Sequence, residues 1–261
     1  MKYVTFETGR KSCHLEIDRA NPLVLSGGSP GRIRRMAQYL DKPEIIESDR
    51  GLVTVHGSYR EIPVTLFSTG MGSASVSITL PEVIEACDNP KMVVLRLGTA
   101  GGLQPYLNIG DFSVTTRVDR MESTSDKIMY PGYIAESNPD VRMVLSEEAF
   151  KHCYPFQRVY VGSAEVTDEL YFTNVRSKDE NHGENITISM EFSAYCALRD
   201  RYNRDRRMAI KTGEILVVSD IVVPRVRDAN DRDVFNAHAK EIEEAHAIIG
   251  LETLLRMSTA N

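Results

Sequence analysis

The segment MVVLRLGTAGG at residues 92–102 decides the fold, because it is an apolar run that ends in small residues. Runs rich in valine, isoleucine and leucine predict buried strands, and glycines at their ends predict tight turns. PLVLSGG at 22–28 and IPVTLFSTG at 62–70 have the same form. Segments of helical period follow these two, GRIRRMAQYL at 31–40 and MGSASVSITLPEVIEAC at 71–87. This alternation predicts an α/β protein.

The pattern continues along the rest of the chain. Further strands are predicted at DFSVTTRV (111–118), QRVYVGSA (157–164), ITISM (186–190) and EILVVSDIVV (214–223), and helices at VRMVLSEEAF (141–150), EFSAYCALRDRY (191–202) and the C-terminal segment. The last of these carries a broad apolar stripe at helical spacing, formed by Ile242, Ala245, Ile248, Ile249, Leu251 and Leu255. The polar stretch 174–185 is interpreted as one long mobile loop. We therefore expect a single domain over residues 1–261, with a mixed central β-sheet flanked by helices.

Composition excludes several classes of protein. The 261 residues carry a formal net charge of −6, which argues against broad nucleic-acid binding. No apolar stretch approaches the roughly 20 residues of a membrane-spanning helix, and the first residues lack the apolar core of a secretory signal. We therefore expect a cytoplasmic protein with neither a nucleic-acid nor a membrane partner.

The cysteines and histidines indicate neither a disulfide framework nor a metal site. The four cysteines form no CxxC pair, and the six histidines form no HxH or HExxH motif. Cys196 lies in the apolar run AYCAL, which favours a place in the core over a role as a nucleophile. No cofactor is expected.

Glycine-rich turns at three strand ends predict an anion site. They are SGGSPGRIRR at 26–35, STGMGSAS at 68–75 and LRLGTAGGL at 95–103. Such turns let backbone N–H groups approach an anion, and a neighbouring arginine adds a bidentate contact. Gly28 with Arg32, and Arg96 with Thr99, are therefore expected to form two sides of a small pocket. Neither GxxxxGK[ST] nor a GxGxxG after a strand is present, so free phosphate is favoured over a nucleotide.

Seven motifs together resemble one known family. They are His14 in CHLEI, GSPGR at 28–32, Arg50, TGMG at 69–72, RLGTAGGLQP at 96–105, SMEFSA at 189–194 and VVSDI at 217–221. Their order along the chain is similar to that of the nucleoside phosphorylase family, which includes hexameric purine nucleoside phosphorylases and uridine phosphorylases. The resemblance implies that inorganic phosphate is a co-substrate and that nucleosides are cleaved to free base and ribose 1-phosphate.

The resemblance also implies roles for the phosphate and ribose sites. Gly28, Arg32, Arg96 and Thr99 would bind phosphate, together with Arg50 donated from a neighbouring subunit. Glu191 would accept hydrogen bonds from two ribose hydroxyls, and the alternative is that it only begins a helix. Met71 and Met190 would contact the sugar, and His14 would reach the 5′-hydroxyl in an adjoining active site. Arg50 and His14 would each act in the active site of a neighbouring subunit, so their roles require a dimer or a hexamer.

For the base, the resemblance implies an acid and an aromatic contact. Asp220 ends an apolar strand, so we expect partial desolvation of its carboxyl group and donation of a proton to the base as it leaves. Arg232 would pair with this aspartate. Tyr171 and Phe172 would stack on the base. Segment 174–185 lacks a Gln-x-Arg pair for reading pyrimidine carbonyls, which favours purines.

Two departures from the family pattern keep other functions open. Ser29 stands where the phosphate turn usually has an acidic residue, and Phe192 stands where a small residue usually follows Met-Glu. The alternatives are a uridine phosphorylase, a nucleosidase of the AMP or methylthioadenosine type that uses water, and a non-catalytic nucleoside-binding protein. The retained arginines argue against the use of water.

Overall fold

A computed structural model describes residues 12–171, 182–222 and 236–259 of the chain. Within these ranges ten strands form one sheet: β1 (Leu23–Gly27), β2 (Asp41–Glu47), β3 (Val53–Tyr59), β4 (Ile62–Ser68), β5 (Lys91–Gly102), β6 (Phe112–Met121), β7 (Ala135–Glu136), β8 (Val159–Thr167), β9 (Thr187–Ser189) and β10 (Ala209–Ile221). The described helices are α1 (Pro30–Met36), α2 (Gly72–Glu85), α3 (Thr124–Ile128), α4 (Pro139–His152), α5 (Phe192–Arg206) and α6 (Ala239–Thr259), with a 3-10 turn at Ala37–Tyr39.

The sheet is mixed and closes on itself at one end. Strand β1 lies between β4 and β5 and is parallel to both, while β2, β3 and β4 form an antiparallel meander. Strand β5 pairs with β10 in parallel and with β9 antiparallel. Because β10, β6, β8 and β9 are also paired in succession, these four strands and β5 form a closed ring. The predicted α/β architecture with a mixed sheet is confirmed.

Helices cover the sheet on two sides. One apolar cluster packs β1, β5 and β10 against α4 and α6, and a second packs the opposite face against α2 and α5. Helix α6 approaches the strands closely, since a Cβ atom on Gly250 would lie 3.0 Å from a methyl group of Leu97. Its predicted stripe faces this core: Ile242, Ala245, Ile249 and Leu251 are buried and Ile248 and Leu255 partly buried.

Some elements carry no sequence pattern that predicts them. All but one residue of β2 are exposed, so the strand has no apolar alternation and is held by its hydrogen bonds to β3. The short α3 and the two-residue β7 were not predicted either. The predicted loop at 174–185 lies outside the described residues except for 182–185.

Cys196 belongs to the core, as predicted. It is buried on α5, and its Sγ lies 3.4 Å from the carbonyl oxygen of Glu136. Burial raises the pKa of the Cys196 thiol to about 12, so it stays protonated and unreactive near neutral pH. All four cysteines are free.

Candidate active site

The turns after β1 and β4 lie against each other at the edge of the candidate site. The N–H of Thr69 donates to the carbonyl of Gly27 at 3.0 Å, and that of Gly70 donates to Gly28 at 3.2 Å. A Cβ atom on Gly28 would lie 3.0 Å from the carbonyl oxygen of Gly70. Glycine is required here because a side chain would push the two backbones apart.

Helix α1 begins at this turn and carries Arg32. Ser29 caps the helix, since its Oγ accepts a hydrogen bond from the N–H of Arg32 at 3.3 Å. A serine in place of the usual acid therefore still caps α1. The guanidinium of Arg32 donates to the carbonyl oxygen of Leu97 on β5 at 3.2 Å. Burial and the nearby Arg96 lower the pKa of Arg32, because both disfavour its positive charge.

Arg96 forms the centre of a buried ion cluster. Its side chain is 4% exposed, and its two terminal nitrogens donate to different carboxylates, Nη2 to Glu191 and Nη1 to Glu214. Burial alone would lower the pKa of Arg96, but the two carboxylates together raise it. A buried guanidinium needs such counter-charges, and here it has two.

Gly98 leaves the space that Arg96 occupies. The Arg96 side chain runs along β5 toward its C-terminal end, and a Cβ atom on Gly98 would lie 2.4 Å from its Nη1 and 2.6 Å from its Cζ. Gly98 lies inside β5 and not in the turn predicted for LRLGTAGGL, so packing is the reason for this glycine.

Gly98→Ala is expected to displace the guanidinium and to lower the free energy of unfolding by about 1–3 kcal/mol, as overpacked sites do. Urea denaturation measures this loss. Gly31→Ala is the matched control, because the nearest atom to its added methyl group is the mobile end of Arg35 at 3.3 Å. Equal stability of the two variants would show that Arg96 is not confined by Gly98.

Glu191 occupies the N-cap position of α5, but its carboxylate serves other groups. Its Oε1 accepts a hydrogen bond from the N–H of Gly72 at 2.9 Å, and its Oε2 accepts one from the N–H of Met190 at 3.2 Å as well as the contact from Arg96. Its side chain makes no capping hydrogen bond to α5. The carboxylate is therefore directed toward α2 and β5, and not toward its own helix.

Met190, Met71 and Thr99, which are also predicted site residues, lie on the segment before α5, at the start of α2 and on β5. The carbonyl oxygen of Met190 accepts a hydrogen bond from Ser73 Oγ at 2.9 Å, which ties the start of α2 to the segment before α5. Met71, at the start of α2, is 75% exposed, and Thr99 on β5 is also exposed. Both side chains are therefore accessible to solvent.

His246, on α6, lies close enough to Arg32 and Arg96 to be affected by their charges. It is buried, and its Nε2 lies 3.1 Å from the carbonyl oxygen of Ile215, which it contacts as a donor when neutral. Burial, with the charges of Arg32 and Arg96, lowers the pKa of His246 to about 3. The imidazole is therefore neutral near pH 7 and adds no positive charge to the site.

His14 and Arg50 lie apart from this cluster. Nδ1 of His14 is 2.6 Å from Oε1 of Glu82, and the backbone N–H groups of His14 and Leu15 also donate to that buried carboxylate. Arg50 is exposed in the turn between β2 and β3. Among the described residues, neither side chain contacts Arg96 or Glu191.

Two of the four residues predicted to act on the base, Asp220 and Tyr171, are described, and both are exposed. Asp220 follows a bulge in β10, opposite Gly101, and its Oδ1 accepts a hydrogen bond from the N–H of Ile221 at 2.9 Å. Its side chain is exposed, contrary to the partial burial that we expected, although the next residue on the strand, Ile221, is buried. Tyr171 is 79% exposed. Phe172 and Arg232 lie outside the described residues.

Sequence reasoning missed several residues that shape the site. Glu214 is one, although a single acid inside the apolar strand EILVV was an available signal. Thr115, which donates to Glu214 at 2.5 Å, gave no signal. Tyr195 is buried on α5 and donates to Ser26 Oγ at 2.8 Å, joining that helix to β1.

Within the described residues, neither a group of side chains that could hold a metal ion nor a membrane-spanning helix was found. Residues 12–171, 182–222 and 236–259 contain no group of three or more histidine, cysteine or acidic side chains arranged to hold a metal ion. In the same ranges, no helix combines the length and the apolar character needed to cross a bilayer.

A family model described as the phosphorylase superfamily matches residues 22–256. The chain belongs to the phosphorylase superfamily. Its relatives in this superfamily include a uridine phosphorylase of Haemophilus influenzae, 32% identical over 155 residues, a match that spans 58% of this chain and 60% of that enzyme. A guanosine phosphorylase of Halorubrum lacusprofundi is 27% identical over 235 residues, which cover 88% of this chain and 92% of the relative.

Solved structures in the phosphorylase superfamily share the fold. A purine nucleoside phosphorylase of Toxoplasma gondii, in complex with immucillin-H, superposes with a TM-score of 0.78 at 22% identity, covering 98% of this chain and all of that one. A uridine phosphorylase of Vibrio fischeri gives a TM-score of 0.75 at 23% identity, covering 95% and 97%. The resemblance to nucleoside phosphorylases, enzymes that are pentosyltransferases, is confirmed.

Proposed function

We propose that the protein catalyses phosphorolysis of nucleosides, with a preference for purines, and releases free base and ribose 1-phosphate. One observation carries the proposal: Arg32 and Arg96 lie together at β5, beside the carboxylate of Glu191. An anion and a vicinal diol could then be held side by side, which this reaction requires.

The charge of the cluster supports a site shared between subunits. Arg32 and Arg96 supply two positive charges, while Glu191 and Glu214 supply two negative ones when both are ionised. The cluster of one chain therefore has little net attraction for a phosphate dianion. Arg50 from a second copy would add the missing charge, which favours a dimer or hexamer over a monomer.

The chemical step is a displacement at the anomeric carbon of the sugar. A phosphate oxygen bonds to C1′ as the bond from C1′ to the base nitrogen breaks, and the electron pair leaves with the base. The sugar carries oxocarbenium-like charge in between, while Glu191 accepts hydrogen bonds from its hydroxyls. Asp220, paired with Arg232, donates a proton to the base, and Tyr171 and Phe172 stack on it. No metal or organic cofactor is required.

The purine preference rests on two observations. The guanosine phosphorylase of H. lacusprofundi matches 88% of this chain at 27% identity, whereas the H. influenzae uridine phosphorylase matches 58% of it at 32% identity. Asp220, near the end of β10, also supplies a carboxyl group that would serve as the proton donor to a purine nitrogen. We further propose that the enzyme acts in the cytoplasm, in nucleoside salvage.

Initial rates with guanosine, inosine, adenosine and uridine, each with and without inorganic phosphate, test this function. We expect turnover of purine nucleosides that is at least about a hundredfold faster with phosphate, because water is not held by the arginines. Addition of EDTA should leave the rate unchanged. Phosphate-independent cleavage would identify a nucleosidase, a faster rate with uridine would reverse the base preference, and nucleoside binding without turnover would indicate a binding protein.

A further inference from the structure

Glu214 is the most deeply buried member of the ion cluster. Its side chain is 0% exposed and lies on β10, directly opposite Arg96 on β5 in the strand register. One carboxylate oxygen accepts a hydrogen bond from Nη1 of Arg96, and the other accepts one from Thr115 Oγ1 on β6 at 2.5 Å. Three neighbouring strands of the closed ring therefore hold this carboxylate.

Two carboxylates balance the charges of Arg32 and Arg96. Burial of an acid as complete as that of Glu214 is nevertheless unfavourable unless the acid is well paired. Burial raises the pKa of Glu214, although the charge of Arg96 and the hydrogen bond from Thr115 oppose this. A group kept at this energetic disadvantage calls for a reason other than stability.

The reason lies in the geometry of the guanidinium. It is planar and rigid, so fixing Nη1 on Glu214 also fixes the direction of Nη2. Nη2 contacts Oε2 of Glu191, whose Oε1 accepts the N–H of Gly72. Glu191 is thus held by two contacts, one from the N–H of Gly72 and one from Arg96. Arg96 in turn is held by Glu214.

We propose that Glu214 is a positioning residue for ribose: through Arg96 it orients the Glu191 carboxylate toward the 2′- and 3′-hydroxyls, and so favours ribonucleosides over 2′-deoxyribonucleosides. This inference rests on the proposed function and adds a determinant of sugar specificity to it. A correctly aimed carboxylate accepts two charge-assisted hydrogen bonds from a ribose, but only one from a 2′-deoxyribose. A misoriented Glu191 carboxylate therefore lowers the turnover of a ribonucleoside more than that of a 2′-deoxyribonucleoside.

Glu214→Gln keeps the shape of the side chain and removes its charge. We expect kcat/KM for inosine to fall about tenfold more than kcat/KM for 2′-deoxyinosine, which is the loss of one hydrogen bond to a charged group. Thr115→Val removes the other support of the carboxylate and should shift the same ratio in the same direction by a smaller factor. Equal losses for the two substrates, or no loss at all, would overturn the proposal.

Glu252→Gln is the matched control. Glu252 is also a buried glutamate, 6% exposed, and accepts a hydrogen bond from the hydroxyl of Tyr59 at 2.7 Å on a different side of the sheet. The same chemical change there should leave the substrate ratio at its wild-type value. If Glu214→Gln does not fold in a thermal unfolding scan, the ratio measured for Thr115→Val decides.

Failure of the proposed function would be seen separately. If the wild-type protein shows no phosphorolysis, calorimetry with inosine and 2′-deoxyinosine gives their relative dissociation constants directly. A tenfold smaller preference for inosine in Glu214→Gln would support the positioning role even without turnover. An unchanged preference would overturn it.

Discussion

Glu191→Gln is expected to lower kcat/KM for phosphorolysis of inosine by about a thousandfold. The amide keeps an oxygen for the N–H of Gly72, but it removes the negative charge that faces Arg96 and the ribose hydroxyls. Two hydrogen bonds to a charged group contribute about 1.5–3 kcal/mol each, and each 1.4 kcal/mol corresponds to a factor of ten. Steady-state rates at saturating phosphate measure the loss.

Glu252→Gln controls for the effect of any buried glutamate-to-glutamine change, and its kcat/KM should remain within about a factor of two of wild type.

The size of the loss in Glu191→Gln separates the two roles considered for Glu191, ribose binding and the start of a helix. A carboxylate that only favours the helix dipole contributes roughly 0.3–1 kcal/mol of stability and nothing specific to turnover. Activity within tenfold of wild type would place the ribose carboxylate elsewhere.

Arg96→Met should cause the largest loss of stability, about 3–5 kcal/mol in the free energy of unfolding measured in urea. The reason is that Glu214, 0% exposed, would keep its negative charge with no cation beside it. Replacing both partners, Arg96→Met with Glu214→Met, should restore only part of this loss, because the charge of Glu214 is removed while Glu191 still loses its cation.

The double variant also separates stability from function. Its stability should lie between those of Arg96→Met and wild type, whereas phosphate-dependent turnover should remain lost because the guanidinium is gone. Arg35→Met provides the comparison with an exposed pair, in which Arg35 contacts Glu243 at 2.8 Å, and should change stability by less than about 1 kcal/mol. A stable single variant Arg96→Met would contradict the buried ion cluster.

The elements that could be predicted from the sequence are those that depend only on residues close together in the chain. The strand at 92–102, the two βα units before it and the helix of the C-terminal stripe all follow from apolar spacing and from glycine turns a few residues away. The Gly28 turn and the position of Arg32 behind Ser29 follow in the same way. Strand β2 was missed because an edge strand with exposed side chains has no apolar period to detect.

The same distinction applies to the site residues: local motifs predicted some of them, and contacts between distant segments determined the rest. The motifs that resemble the nucleoside phosphorylases pointed to Arg32, Arg96 and Glu191, and the fold brings these three side chains together. The same motifs gave no reason to expect that Glu82 would bind the histidine at position 14, or that Asp220 would lie in the open after a bulge. Contacts of that kind depend on which segments become neighbours.

By itself, then, the sequence determined the alternation of strands and helices, the glycine-rich turns after β1 and β4 and the family to which these motifs belong, because each is encoded in residues close together in the chain. The glycines at 98–102, predicted as a turn, continue β5 instead. Only the tertiary structure decided that Arg96 lies between two carboxylates. Glu214 is 118 residues away from it along the chain, and the pairing of β5 with β10 makes them neighbours. A strand sequence specifies its own conformation but not its partner, since backbone hydrogen bonds are the same for every strand.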